Sequence, residues 1–346
     1  MRITRASSTP IDIRLNESVP TGAGSIGDRG GMAVTIETDD FVGVGETAPI
    51  PGQAGPKLEQ LATEIGDWCR SIGSSTVDDA LSGLDDHEHS VLTRFAIHTA
   101  LIDLQSRAND QSASQWLRPG SATRVYVNGL IGEASPAAVH ARARQLVEQG
   151  MRAIKLKVGA VDHSLDITRI VAASEAAGSN VELRLDANGA WNAETTTRII
   201  GRVGKHRIGY IEDPTSNPSE FVALSKEIGV AIATDLDTST NPDDAIATAD
   251  VKTVVVKPAA IGGIDKLLDL SERHPEHRFL VTSSIDRDVG LAAAVHAAAA
   301  LAPTSGPHGL ATGRLIRNMD PGLLDTSGEV RVPAGPGIWN PTPQDD

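Results

Sequence analysis

The sequence predicts an α/β protein in which an α+β block precedes a closed parallel β/α barrel. From Val125 onward, short apolar strand segments alternate with polar loops and amphipathic helical segments. Alternating β and α elements of this length require a parallel sheet, and seven or eight such units over about 185 residues favour a closed barrel over an open sheet. The residues upstream lack this rhythm, which indicates a separate block.

The first block combines a hairpin with helices. Residues 29–52 alternate in polarity as an antiparallel hairpin does, and residues 56–118 have helical periodicity. The chain has 346 residues, more than a single hydrophobic core usually spans, so two domains are expected. We place the first domain at residues 1–122, completed by a C-terminal tail over 318–346, and the barrel at residues 123–317.

The barrel region contains seven predicted strands. Helical segments such as 135–150 and 241–250 separate them, and "HGLATG" at 308–313 is the candidate for the last strand. The Ala-rich segment 290–302 is too short to span a bilayer, so we expect a packed helix there. The strands are predicted at 125–131, 153–158, 181–187, 208–213, 230–235, 253–258 and 279–284.

The overall charge argues against two classes of partner. A net charge of −14 repels polyanions, so we expect neither nucleic acid nor an anionic membrane surface to bind. Cys69, the single cysteine, cannot form an intramolecular disulfide, and the first residues lack the apolar core of a signal peptide. We therefore expect a cytoplasmic protein. The sequence does not decide between a monomer and a homo-oligomer.

Three short motifs are assigned no role. "GAGSIG" at 22–27 matches a dinucleotide-binding fingerprint, but strand-like residues follow it instead of preceding it, so we interpret it as a glycine loop. "DDHEH" at 85–89 contains residue types that bind metals, and a hydrophilic loop accounts for it. "HPEHR" at 274–278 is interpreted as a solvated turn.

A charged residue stands at the end of five successive predicted strands. The five positions are separated by 29, 26, 23 and 22 residues, each about one β/α unit. In a β/α barrel, side chains at the carboxyl ends of the strands converge on one cavity, where active sites lie. Any one of them alone could be a surface residue just past its strand, but the regular series indicates a shared site. The five residues are Lys157, Asp186, Glu212, Asp235 and Lys257.

Elementary electrostatics predicts what this cluster contains. Three carboxylates in one cavity repel each other unless a cation neutralises them, and ligands that offer only oxygen favour Mg²⁺, with Mn²⁺ as the alternative, over Zn²⁺. A buried lysine near such an ion and a second ammonium group loses its proton more readily and can act as a base. Lys155 and Lys157 lie two apart on one strand and point the same way, so we expect both to face this charged cavity.

Five motifs carry a resemblance to a known family. "KLK", "RLDANGAW", "YIEDP", "VVVKP" and "VTSSID" resemble the successive strand motifs of the enolase superfamily, in its muconate-lactonising subgroup. Within that subgroup their wider contexts, together with "HGLATGRLI", look most like the o-succinylbenzoate synthase family. The resemblance covers about residues 30–316, and it implies a (β/α)7β TIM-like barrel with an α+β capping domain.

The resemblance also implies a role for each of the five charged residues. Asp186, Glu212 and Asp235 become Mg²⁺ ligands, Lys157 the acid/base, and Lys257 a second lysine across the substrate, in keeping with the lysine bases and Mg²⁺ of this superfamily. The implied reaction, part of menaquinone biosynthesis, is syn-dehydration of the small anionic carboxylate 2-succinyl-6-hydroxy-2,4-cyclohexadiene-1-carboxylate to 2-succinylbenzoate. The lysine abstracts the α-proton, a metal-stabilised ene-diolate forms, and the protonated lysine then protonates the departing hydroxyl.

Other residues are expected to contact or orient the substrate. The glycine loop at 21–31 is expected to close over the cavity as a lid, with Arg29 meeting the anionic substrate. Lys155 supplies a second positive charge beside Lys157. Three hydroxyl residues on the seventh strand are placed to hold the succinyl carboxylate, and two further polar residues to orient substrate or ligands. These are Thr282, Ser283 and Ser284, and then Arg184 and Asn128.

One departure from the subgroup pattern concerns the "DLD" segment at 235–237. Leu236 stands where the subgroup usually has a glutamate, so the residues that orient Asp235 have changed. Asp237 is the candidate to compensate.

Two alternatives stay open at this point. An N-acylamino acid racemase or dipeptide epimerase on the same scaffold would use Lys157 and Lys257 as opposed bases, and a dipeptide substrate would need an acid for its amine, for which Asp286 or Asp288 is a candidate. A barrel that only binds a small acid would be expected to have lost a ligand or a lysine, and none of the five is missing.

Overall fold

A computed structural model describes residues 1–21, 24–86, 88–159, 162–301, 306–325 and 327–341. The N-terminal part contains a three-stranded antiparallel sheet in the order β1-β4-β5 and a short hairpin of β2 with β3. The β4–β5 pairing and the helices after it confirm the predicted hairpin and helical region. The strands are β1 Arg5–Ile13, β2 Val19–Thr21, β3 Gly24–Ile26, β4 Arg29–Glu37 and β5 Val42–Thr47, and the helices are α1 Leu58–Ser71, α2 Val77–Ser82, α3 Val91–Ala108 and α4 Ala113–Leu117.

The barrel sheet is parallel, and its strands follow chain order. Seven strands pair in the order β13-β12-β11-β10-β9-β8-β7, with no strand crossing over another, as a barrel requires. The predicted barrel is therefore confirmed. The strands are β7 Gly129–Ile131, β8 Ala153–Lys157, β9 Glu182–Asp186, β10 Ile208–Glu212, β11 Ala231–Leu236, β12 Thr253–Val256 and β13 Arg278–Val281.

The segment at 308–309 closes the barrel without forming a regular strand in the described residues. His308 bridges Val127 and Gly309 bridges Thr282, both in parallel orientation. The backbone N–H of Asn128 donates to the His308 carbonyl at 2.8 Å, and the N–H of Gly309 donates to the Val281 carbonyl at 2.8 Å. The predicted last strand is thus a two-residue link that joins the first and seventh strands of the barrel.

The predicted strand at 125–131 is divided in two. Its first half is β6, Arg124–Tyr126, which pairs with β14, Glu329–Arg331, near the C-terminus, whereas its second half enters the barrel as β7. The backbone N–H of Val127 donates to the Gly328 carbonyl, so the change of partner occurs at this residue. Because the partner is about 200 residues away in the chain, local alternation could not reveal the division.

Helices cover the outside of the barrel, and several begin at side-chain caps. Ser135 caps α5, Asn192 caps α7 and Asn241 caps α9, each accepting from backbone N–H groups that a helix start leaves unpaired. The segments predicted at 135–150 and 241–250 are confirmed as α5 and α9. The helices are α5 Pro136–Glu148, α6 His163–Ala177, α7 Ala193–Val203, α8 Phe221–Ile228, α9 Pro242–Ala249, α10 Pro258–Ile261, α11 Ile264–Arg273 and α12 Asp288–Ala300.

The Ala-rich helix α12 is a packed helix, as predicted. Every residue from Val289 to Ala300 is buried. None of the described helices combines the length and apolar character needed to cross a bilayer.

Some of the remaining sequence predictions concern residues outside the described part of the chain, and others can be compared with the structure. Residues 22 and 23 of the glycine motif, His87 of the acidic motif and residues 342–346 of the tail lie outside the described residues. The described end of the glycine motif is strand β3, with no helix opening from it. In the tail, the backbone N–H of Ile338 donates to Asp103 Oδ1 on α3 at 2.7 Å, and β14 pairs with β6. The boundary between capping domain and barrel stays a prediction.

Candidate active site

A cavity lies at the carboxyl ends of the barrel strands. All five charged residues of the predicted series line it, and Lys155 lines it as well. Its opposite wall comes from the N-terminal part of the chain, where Val19, Ile26 and Ile50 add apolar surface and Gln53 adds an amide. The cavity therefore has a charged floor and a largely apolar cover.

Strand register explains why the charged side chains converge. Lys157 is directly opposite Asp186, and Asp186 is directly opposite Glu212, so three successive strands end at one level. Asp235 is opposite Val255, and Lys257 follows Val255 by two residues, which keeps it on the same face.

Asp186 is the centre of the charged floor. Its Oδ2 lies 3.0 Å from Lys155 Nζ and 2.7 Å from Lys157 Nζ. Lys155 Nζ also contacts Glu212, at 3.1 Å from Oε1, and Lys157 Nζ donates to Asn188 Oδ1 at 2.9 Å. The two lysines thus share one carboxylate, while the deeper one bridges to the next strand.

Burial and neighbouring charge shift the pKa values of this group in opposite directions. Burial would raise the pKa of Asp186, but the charges of Lys155 and Lys157 outweigh it and hold this pKa far below its usual range. Burial, with the charge of Asp186, raises the pKa of Glu212 to about 7. Burial would lower the pKa of Lys155, yet Asp186 and Glu212 hold it well above its usual value, so Lys155 stays a cation.

Asp235 and Lys257 form the second charged pair of the cavity. Lys257 Nζ donates to Asp235 Oδ2. Burial opposes the charged form of Lys257, and Asp235 outweighs this and raises the pKa of Lys257. β8 and β12 lie four positions apart in a barrel of eight positions, so Lys157 and Lys257 approach the cavity from opposite sides.

The donor atoms of this cavity fit a hard dication. Asp186 Oδ1 and Asp235 Oδ1 are buried and make no hydrogen bond, although a buried carboxylate oxygen normally has a partner. The three acids of the floor offer oxygen alone, which suits Mg²⁺. The residues that could hold such an ion here are Asp186, Glu212 and Asp235.

The predicted hydroxyl residues and Asn128 also line the cavity. Thr282 Oγ1 donates to the Gly309 carbonyl at 3.1 Å, and Ser283 Oγ hydrogen-bonds Thr312 Oγ1 at 2.7 Å. The Asn128 side chain accepts from Arg184 at 3.2 Å. The hydroxyl groups of the seventh strand therefore already have protein partners in part, and Ser283 is fixed in orientation.

Two predicted substrate residues do not line the cavity. Arg184 is fully buried inside the barrel, donates to the carbonyl of Pro307 at 2.6 Å and lies over the Tyr210 ring at 5.0 Å, and its hydrogen bond to Asn128 at 3.2 Å connects it to the cavity. Arg29 is also buried, and its Nη2 donates to the carbonyls of Ser284 and Ile285 at 2.6 and 2.8 Å. Both guanidinium groups bind protein carbonyls behind the cavity wall, and a substrate contact for either arginine stays a prediction.

The "DLD" segment divides between two sides of β11. Asp235 faces the cavity, whereas Leu236 is buried in the hydrophobic core. Asp237 is exposed, and its Oδ1 accepts from the backbone and hydroxyl of Ser239 at 2.8 and 2.7 Å. Asp237 is therefore engaged in a local turn and does not take the place of a glutamate at 236.

Several residues that line the cavity were not predicted from the sequence. Asn188 holds Lys157 from a left-handed backbone conformation with φ 46°, and its position two residues after Asp186 was the available signal. Ile285 lines the cavity with φ 59°, an unfavourable value for a β-branched residue. Gln53 comes from a distant loop to which no local pattern pointed, whereas Thr312 lies within the predicted last strand at 308–313 but was given no role.

The fold and the five converging charged groups define an enolase-type barrel, and comparison with known proteins agrees. Residues 138–338 match the family described as enolase C-terminal domain-like, and the chain belongs to this family. An o-succinylbenzoate synthase of Desulfotalea psychrophila is 26% identical to this chain and covers 92% of it and 95% of its own length. An o-succinylbenzoate synthase of Thermobifida fusca is 31% identical, over 63% of this chain and 69% of its own.

Solved structures share the fold at low sequence identity. A dipeptide epimerase of Enterococcus faecalis, solved with Mg and the dipeptide L-Leu-L-Tyr, superposes with a TM-score of 0.88 at 22% identity and covers 98% of this chain and 99% of its own. A muconate lactonizing enzyme of Pseudomonas fluorescens, solved with muconolactone, has a TM-score of 0.88 at 19% identity and covers 97% and 95%. The family and these relatives support an enzymatic role for the chain.

Proposed function

We propose that this protein is an Mg²⁺-dependent dehydratase that converts 2-succinyl-6-hydroxy-2,4-cyclohexadiene-1-carboxylate into 2-succinylbenzoate. The observation that carries the proposal is that Lys157, Lys257 and three acids from five barrel strands line one cavity. The relatives named o-succinylbenzoate synthase, one of which matches over 92% of the chain, support this reaction over others of the superfamily.

Lys157 is the proposed acid and base. Bound at Asp186, Glu212 and Asp235, Mg²⁺ would place positive charge at the substrate carboxylate and so acidify the neighbouring α-proton. Lys157 takes this proton, and the C–H electron pair begins the new ring double bond. The C–O bond to the β-hydroxyl then breaks, Lys157 returns the proton to the leaving oxygen, and water departs. One lysine serves both steps because the proton and the hydroxyl leave from the same ring face.

The other cavity residues have supporting roles in this proposal. Asp186 and Asn188 hold the Lys157 amine by hydrogen bonds at 2.7 and 2.9 Å. Lys257, on the opposite side and kept charged by Asp235, stabilises the negative charge that develops on the substrate. The apolar side chains of Val19, Ile26 and Ile50 cover the ring and exclude water.

The succinyl group of the substrate is assigned to the wall at Thr282, Ser283 and Ser284. These residues line the cavity and present small polar groups beside Gly309. Hydroxyl and backbone donors of this kind can hold a carboxylate without a buried arginine.

The alternative is proton exchange at an amino acid, as in an N-acylamino acid racemase or dipeptide epimerase. The opposed lysines favour it, because two bases on opposite faces are what such a reaction requires. Against a dipeptide substrate, Asp286 Oδ2 accepts from the Ser284 N–H at 2.9 Å and Asp288 Oδ1 accepts from the Asp320 N–H at 3.2 Å. Neither acid lines the cavity, so neither is available to a substrate amine there.

The test is incubation with the cyclohexadiene substrate and Mg²⁺, with aromatisation followed in the ultraviolet. We expect turnover by the wild type, and a fall of about 10²–10⁴-fold or more in Lys157→Ala with unchanged circular dichroism. Lys226→Ala, which removes an exposed lysine of α8, is the matched control and should retain activity. Absence of turnover together with α-proton exchange of N-acylamino acids in deuterated water would establish the alternative.

A further inference from the structure

The turn between α11 and β13 brings two histidines and a glutamate together. The backbone N–H of His277 donates to the His274 carbonyl at 3.1 Å, with Pro275 at the second position of the turn. As a result, ligand atoms of His274, Glu276 and His277 lie within 4.8 Å of one another. The sequence predicts a solvated turn here, and the proposed dehydratase reaction does not use this segment.

His277 has a buried nitrogen that makes no hydrogen bond. Its side chain is only 8% exposed, and Nδ1 is buried without a hydrogen-bond partner, although Glu276 Oε1 lies 3.0 Å away. The ring is held in place by neighbouring rings, at 5.5 Å from His274 in an edge-on arrangement and at 6.5 Å from Phe279.

Asp243, at the start of α9, orients the other histidine. Its Oδ1 lies 2.7 Å from His274 Nε2 and also contacts Arg273. A carboxylate that accepts from one imidazole nitrogen fixes the ring and leaves the other nitrogen, here Nδ1, for a metal. Asp243 and His274 therefore form the carboxylate–histidine pair that commonly accompanies a metal ligand.

We propose that His274, Glu276 and His277 form a binding site for a borderline transition-metal dication such as Zn²⁺. Two imidazoles and one carboxylate match the donors of three-ligand zinc sites, in which water takes the fourth position, and they disfavour Mg²⁺. The site precedes β13 and so lies at the amino ends of the barrel strands, whereas the candidate active site lies at their carboxyl ends. A bound ion would join the end of α11 to the entry of β13.

The test is calorimetric titration of the full-length protein with ZnCl₂ in a large excess of Mg²⁺, which saturates the oxygen-only site at the other end of the barrel. We expect His274→Ala and His277→Gln each to bind one equivalent of Zn²⁺ fewer than the wild type, and Glu276→Gln to bind that equivalent at least tenfold more weakly. His206→Ala removes an exposed histidine elsewhere on the barrel, and this variant should bind as many equivalents of Zn²⁺ as the wild type.

A second measurement covers the case in which His277→Gln fails to fold, because its ring packs near Phe279. Glu276 is more than half exposed, so Glu276→Gln keeps the fold. Since a ligand that binds only the native state raises the unfolding temperature, Zn²⁺ should raise it in the wild type and in His206→Ala but less in Glu276→Gln and His274→Ala. Equal Zn²⁺ stoichiometry and equal stabilisation in the wild type and these two variants, or no Zn²⁺ bound by the wild type, would overturn the proposal.

Discussion

Lys155 and Lys157 have different tasks although they leave the same face of β8. Lys155 contacts both Asp186 and Glu212 and is held charged by them, so it compensates the two most buried acids of the cavity. Lys157 is nearer the opening and contacts Asp186 and Asn188. The barrel interior accommodates two ammonium groups because each has a buried carboxylate partner, which offsets the cost of desolvation.

Arg29 supports the wall of the cavity. Its guanidinium binds the carbonyls of Ser284 and Ile285, and Ile285 lines the cavity in a strained backbone conformation. Because backbone strain persists only where surrounding contacts enforce it, these two hydrogen bonds help to keep Ser284 and Ile285 in position.

Replacement of Arg29 therefore should weaken substrate binding more than it slows chemistry. We expect Arg29→Met to lower kcat/KM by about 10–100-fold, mainly through KM, which corresponds to the loss of one or two hydrogen bonds from a charged donor. Steady-state kinetics with the proposed substrate measures this, and thermal unfolding checks that the fold is kept. Arg14→Met, at an exposed arginine, is the control. An unchanged KM in Arg29→Met would show that Ser284 and Ile285 keep their position without the guanidinium group.

At the scale of elements, β5 and α3 pack with almost no side chain between them. A Cβ at Gly43 would overlap the carbonyl oxygen of Ala100, and a Cβ at Gly45 would overlap that of Ala96. The two glycines lie on one face of the strand, so α3 rests directly on its backbone. This contact joins the N-terminal sheet to the buried helix that also bears Arg94 and His98.

Gly45→Ala should consequently destabilise the protein strongly. The added methyl group meets rigid backbone, so we expect the free energy of unfolding to fall by about 3 kcal/mol or more. Gly201→Ala is the matched control, because nothing lies within 4 Å of an added Cβ at this helical position. At position 201, the higher helix propensity of alanine should raise the free energy of unfolding by at most about 1 kcal/mol. Urea unfolding of both variants measures the difference, and equal stability would mean that α3 can move away from β5 at little cost.

At the scale of the whole molecule, three buried histidines connect distant parts of the chain. His98 on α3 contacts Asp265 on α11 at 3.1 Å. His296 on α12 accepts from the Ser114 N–H and donates to the Ile338 carbonyl. The His308 ring accepts from the Val281 N–H. Burial lowers the pKa values of His98 and His296 to about 4 and that of His308 to about 3. All three are thus neutral in the folded protein near pH 7.

These histidines make stability depend on pH. The folded pKa of His296 is below its unfolded value of about 6.5, so its contribution is fully present above that pH and is lost as pH falls towards 4. At pH 5 the loss is about 2 kcal/mol. Burial raises the pKa of Glu46 to about 7, and this carboxyl acts in the opposite direction, since its contribution is lost as pH rises from about 4.5 to 7.

Comparison of a variant with the wild type isolates the effect of one histidine. His296→Gln should destabilise the protein at pH 7.5, and by about 2 kcal/mol less at pH 5, because the variant has no imidazole to protonate on unfolding. Urea unfolding at the two pH values measures this, with His206→Ala, at an exposed histidine, as the control. If His296→Gln destabilises the protein equally at both pH values, the His296 ring is already protonated in the folded protein at pH 5.

The parallel strands and the charged residue at each strand end could be predicted, because alternation and β/α spacing are local properties of the chain. Side chains two residues apart on a strand lie on the same face. This strand pattern alone predicts that the side chains of three acids point into one cavity, namely Asp186, Glu212 and Asp235. Arg184 follows the same rule, yet it lies one step deeper, where Asn128, Pro307 and Tyr210 surround it. Alternation gives the direction of a side chain but not its depth in the barrel.

The sequence by itself determined the barrel class, the order of its strands and the set of acids and lysines that meet at their carboxyl ends. Only the tertiary structure decided which neighbours these groups have: that Lys155 bridges two acids, that Arg29 and Asp286 bind backbone groups behind the wall, and that Val19 and Ile50 cover the cavity. The reason is physical. Strand direction and spacing follow from the backbone of a few residues, whereas burial and side-chain contacts depend on distant segments that meet only in the folded chain, such as Leu15 and Arg317, which are 302 residues apart.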